Sequence, residues 1–108
     1  MKILLDESVP VQVRNALIGH DVSTVSGLRW KGRKNGDLLA ATEHAGFEVL
    51  VIADKNLRHE QNLKGRILAI VELWTNHRPT LEKYFPVIRD GVEHAAPGAY
   101  IIRQPSLN

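Results

Sequence analysis

Cysteine is absent from the 108 residues, which removes disulfide frameworks, zinc–thiolate sites and thiol nucleophiles from consideration. No apolar run approaches the length of a membrane span. The first acid, Asp6, comes too early for the apolar core of a signal peptide, so the expectation is a cytoplasmic protein. No glycine-rich phosphate loop and no G-x-S-x-G elbow is present. The stretch HEQNL (59–63) begins like the zinc-protease pattern H-E-x-x-H but ends on Leu63, and the five histidines are scattered without ligand spacing. Nor is charge of one sign in large excess: 14 Lys and Arg against 12 Asp and Glu leave a formal charge of +2.

What is there is an alternation of apolar runs and helical patterns. KILLD (2–6) reads as a first strand, followed by a helix over about 8–18 that Ser8 can cap and that Pro10 tolerates in its first turn. DVSTV (21–25) is β-branched and short, a second strand. SGLRWKGRKNG (26–36), with three glycines and no period, is a loop. Asn35 or Asp37 can cap a helix to about Ala45, with Leu38, Leu39 and Thr42 inward and Gly46 closing it. Residues 48–53 and 66–73 are runs without polar alternation, the mark of strands covered on both faces; a polar segment between them has partly helical character. PTLEKYFPVIRDGVEHA (79–95) carries Leu81, Phe85, Ile88 and Val92 at helical spacing, with Pro86 placed to kink or split it. AYIIR (99–103) is a last strand.

This order predicts one α/β domain over residues 1–104, three-layered around a mostly parallel five-stranded sheet, with 105–108 as a frayed tail. A doubly wound order 2-1-3-4-5 puts the switch point between strands 1 and 3. Asp6 and Asp54, the acids ending those strands, then become neighbours where open α/β sheets bind ligands. Asp37 opens on the same edge, and Glu7 is an auxiliary acid that equally suits the start of a helix. Carboxylates gathered this closely call for a cation, and oxygen ligands favour Mg²⁺ or Mn²⁺.

More than half of the Lys and Arg lie in two segments that leave this edge: Arg29, Lys31, Arg33 and Lys34 in LRWKGRK, and Lys55, Arg58, Lys64 and Arg66 after Asp54. They flank the acids as phosphate contacts would. Trp30, between Arg29 and Lys31, can stack on an unpaired base or cover the sheet edge. Metal-assisted phosphodiester hydrolysis fits this combination. Each element also has a plainer explanation: Asp at strand ends forms turns, Asp37 can be a helix cap, and charged loops are common.

ILLDESVP, WKGRKNGDLLAATE and VIADKNL, in that order and spacing, resemble the small stand-alone PIN-like proteins of prokaryotes, a family of predicted toxin–antitoxin nucleases. The resemblance runs from Lys2 to about Leu73 and more loosely through PGAY. It implies a PIN-like fold, a divalent-metal site of Asp6, Asp37 and Asp54, and cleavage of single-stranded RNA. It implies as partner a cognate antitoxin covering the site; a homodimer is a further expectation. Many relatives carry a second Asp two residues after the position of Asp54; Asn56 stands here, offering a carbonyl ligand without charge.

Two rival functions remain. A PIN-like scaffold that binds without cutting is consistent with Asn56. A signalling receiver shares the strand order, the acid pair Asp6 and Glu7, and an acceptor in Asp54. Receivers also need Lys-Pro after strand 5, where this chain has Arg103 and Gln104.

Overall fold

The structure, a computed structural model, describes residues 1–33, 35–53, 67–103 and 105. Lys34, Asp54, Lys55, Asn56, Arg58, Lys64 and Arg66, and the partly helical segment expected after strand 3, lie outside the described residues.

Strands β1 (Lys2–Leu5), β2 (Asp21–Thr24), β3 (Val49–Ile52), β4 (Ala69–Glu72) and β5 (Gly98–Ile101) form one sheet in the order β2-β1-β3-β4-β5. Every pairing is parallel. The α/β class and the order 2-1-3-4 of the first four strands therefore agree with expectation. Among the described residues, helices α1 (Asn35–His44), α2 (Arg78–Glu82) and α3 (Phe85–Glu93) accompany the sheet, with a 3₁₀ helix over Val11–Leu17.

The continuous apolar runs have a direct consequence. Ile3, Leu5, Val49, Val51, Ala69 and Val71 face one core with the 3₁₀ helix, α2 and α3, through Val13, Leu17, Leu81, Ile88 and Val92. Leu4, Leu50, Ile52 and Ile70 face a second core with Leu38 and Leu39 of α1. Successive strand residues point to opposite faces, so a strand buried on both sides shows no polar–apolar alternation.

Ser8 does not cap a helix, contrary to the sequence expectation. The first helix begins only at Val11, after Pro10, and is 3₁₀ rather than α. Val9, Val11 and Val13 are stiff at χ1 and poor helix formers, and the Ser8 hydroxyl is committed elsewhere. Pro86 splits the last helix, as its position suggested: α2 ends before it, and it occupies the first turn of α3, where a missing N–H costs nothing. Thr42 is fully buried, its hydroxyl donating to the Leu38 carbonyl at 2.6 Å.

Candidate functional site at the carboxyl edge

Because all pairings are parallel, the carboxyl ends of the strands share one edge, and the switch point lies between β1 and β3. Asp6 sits there, half-buried, its N–H donating to the Val51 carbonyl at 2.9 Å. Its Oδ2 accepts from the Ser8 hydroxyl at 2.6 Å and from the Ser8 N–H at 3.2 Å. Among the described residues Oδ1 takes no hydrogen bond. The carboxylate is thus held through Oδ2. Glu7 is exposed beside it.

Asp37 lies in the first turn of α1, where a carboxylate complements the helix dipole. Its Oδ2 pairs with Arg33 at 2.8 Å, and its side chain is 60% exposed. Its placement is therefore accounted for by α1 and Arg33. Asp54 follows Ala53 directly in the chain and, with Asn56, lies outside the described residues. Among the described residues no group of three His, Asp or Glu is arranged to hold a metal ion.

A carboxylate absent from the expected set stands at this edge. Glu72 ends β4 in register with Ile52 and is 4% exposed. By strand alternation it shares a face with Ile52 and Ile70, the face of Leu4 and hence of Asp6. Two strand spacings separate Asp6 from Glu72, about 10 Å between their Cα atoms. The signal was available in RILAIVEL, where one acid interrupts an apolar run.

The loop from β2 to α1 carries the described part of the first basic cluster. It is tightly built: Val25 N–H donates to the Leu5 carbonyl at 3.0 Å, Trp30 N–H to Val25 at 2.9 Å, and Leu28 N–H to Thr24 at 3.0 Å. Gly27 N–H donates to Thr24 Oγ1 at 2.8 Å. Arg29 is held at φ 60, the left-handed region, and is exposed, as are Lys31 and Arg33. Trp30 packs on the α1-side core, edge-on to Phe47 at 6.4 Å, with the Arg33 guanidinium 5.1 Å from its ring centroid. Its role here is to anchor the loop.

Further cations on the same edge follow from the parallel topology. Arg78, after β4, and Arg103, after β5, are exposed, as is the His77 imidazole; Arg78 pairs with Glu82 at 3.2 Å. With Arg29 and Lys31 at the β2 end, positive side chains flank both sides of Asp6. A cavity of about 380 Å³ opens at the opposite, amino-terminal edge, bordered by Met1, Glu43, Phe47, Glu48 and Ile67, and is separate from this arrangement. No helix of the described residues is long and apolar enough to cross a membrane.

No protein-family model, no curated protein and no solved structure matches this chain.

Proposed function

We propose that the chain is a PIN-like, divalent-metal-dependent ribonuclease acting on single-stranded RNA, with a small antitoxin as its protein partner. The observation that carries this reading is Asp6: a half-buried carboxylate at the switch point, fixed through Oδ2, with no hydrogen bond to Oδ1 among the described residues, and flanked by exposed cations.

The donor set fits a hard cation in part. Asp6 supplies an oxygen ligand, Mg²⁺ needs only one or two carboxylates beside water and substrate phosphate, and Asp54, two residues after β3 in the sequence, is the second carboxylate of the proposal. Glu7, Asn56 and Glu72 are further oxygen donors, and Asp37 would join only by leaving Arg33. Such an ion, when bound, would acidify water and offset charge on a phosphodiester. The chain's own residues do the rest: Asp6 holds its orientation through Ser8, Arg29 and Lys31 take flanking phosphates on one side, and His77 and Arg103 take them on the other. Contacts of this kind position a strand without reading its bases.

The test pairs Mn²⁺ calorimetry with cleavage of single-stranded RNA, using wild type, Asp6→Asn and Asp54→Asn. Binding by wild type at millimolar Mn²⁺, with loss of both binding and cleavage in each variant, is the expected result. A wild type that binds RNA but no metal would replace the nuclease with a binding scaffold. Incorporation of phosphate at Asp54 from a small phosphodonor would replace it with a receiver.

A further inference from the structure

We infer that Ser8 is a positioning residue of this site, one hydroxyl that fixes the Asp6 carboxylate and the end of β3 with respect to each other. The inference rests on the metal-site reading above and deepens it.

The argument starts from the ladder between β1 and β3. Parallel strands exchange evenly spaced hydrogen bonds, and Asp6 N–H donates to the Val51 carbonyl. The next rung would run from the Ala53 N–H to the Asp6 carbonyl. That carbonyl instead accepts from the Val9 N–H at 3.0 Å, because the chain turns away after Asp6 toward Pro10. Ala53 N–H would be left without its strand partner. The Ser8 hydroxyl takes the vacant place, accepting from Ala53 N–H at 3.1 Å while donating its hydrogen to Asp6 Oδ2 at 2.6 Å.

One oxygen thus does two jobs that a continued strand could not. It closes the ladder at Ala53, and it engages Oδ2 of Asp6, so that Oδ1 is the oxygen without a hydrogen bond among the described residues. A hydroxyl is the group this position needs, since it must accept and donate at once. Alanine can do neither. Outer partners of this kind orient the carboxylate that meets a metal and set its affinity.

Three variants and two readouts test this. In Ser8→Ala, exchange of the Ala53 amide, followed by NMR without metal, should accelerate about fivefold or more, the equivalent of one net hydrogen bond. Mn²⁺ affinity, measured by the electron paramagnetic resonance of the free ion, should fall about tenfold. Ser8→Thr keeps the hydroxyl and should recover most of both. Val92→Ala, buried at the end of α3 that leads into β5, should lower stability and leave Mn²⁺ affinity unchanged. A wild type that binds no Mn²⁺ overturns the metal-site reading, and the role of Ser8 with it. A wild type that binds Mn²⁺, with Ser8→Ala equal to it, overturns only the positioning role. So does unchanged Ala53 exchange in Ser8→Ala, or a Thr variant as weak as the Ala variant.

Discussion

Gly27→Ala tests whether the β2–α1 loop is built as the structure has it. A Cβ at position 27 would lie 2.8 Å from Thr24 Oγ1 and 3.5 Å from the Thr24 carbonyl; the first distance is too short and the second is ordinary contact. Thr24 is β-branched and half-buried at the end of β2, so it must change rotamer rather than bend. That costs about 0.5–1.5 kcal/mol. It also breaks the bond from Gly27 N–H to Thr24 Oγ1, a further loss of about 1 kcal/mol. The reduced freedom of an unfolded chain with Ala returns roughly 0.5 kcal/mol. The net expectation is a loss of about 1–2 kcal/mol in urea unfolding, with an unchanged slope. Thr24→Ala removes both the clash and the bond, so Gly27→Ala in that background should be neutral or slightly stabilising. The double-mutant cycle should therefore show a coupling of about 1.5–2.5 kcal/mol. Additive losses would refute the argument, because they would mean that residues 24 and 27 do not meet.

Arg29 at φ 60 pays for a left-handed backbone that Gly adopts freely, so Arg29→Gly should raise stability by about 1 kcal/mol while weakening RNA binding and reducing the salt slope by about one; calorimetry and a salt titration read the two effects. The α3 end should show opposed pH dependences. His94 Nδ1 donates to the Asp90 carbonyl at 2.8 Å, and that bond, with the Asp90 carboxylate, raises its pKa. The folded state therefore binds the His94 proton more tightly; this stability is full below the ordinary imidazole range and is lost as pH rises through the folded pKa. His94→Ala should destabilise at pH near 5.5 and have no effect near 8.5 in urea unfolding. Glu93 is lowered, first by its hydrogen bond with His20 and then by Arg89. Its contribution is present above the ordinary carboxylate range and disappears as pH falls through the lower folded value, so Glu93→Gln should matter at neutral pH and cease to matter in acid.

Much of the architecture was legible because apolar runs and punctuation carry it. The runs at 49–52 and 69–72 lack alternation because both faces are covered, and that alone suggests a parallel sheet. Pro86 was legible as a break because its effect is local. The first helix was not, because Ser8 two residues before Pro10 is a good cap signal and the sequence does not show that the hydroxyl is taken. Its partners, Asp6 and Ala53, each follow the last residue of a different strand, and Ala53 lies 45 positions away. Glu72 was overlooked for a related reason: in a run covered on both faces, a single acid looks like noise until the register sets it level with Ile52.

The site was legible as an edge rather than as a set of contacts. Parallel topology sends every strand's carboxyl end the same way, so Asp6 and the basic loops could be placed together without any side-chain geometry. That argument cannot separate a ligand from a neighbour that has a local partner, and Asp37 shows the difference: a first-turn acid paired with Arg33 is complete as helix chemistry. Arg29 is the opposite case. Gly27 is needed at its own position by Thr24, yet the strained position two residues later holds an arginine, though glycine would cost less. Such a backbone outlier at an exposed side chain is a reason to test that side chain for a role in binding. At Arg29 that side chain is a guanidinium, exposed at the rim of the edge that holds Asp6, which is where a phosphate of a bound strand would lie. Arg29→Gly therefore discriminates better than Asp37→Asn: if the edge binds RNA, it should make the protein more stable and less able to bind, and a gain in stability with unchanged binding would remove the polyanion from the proposal.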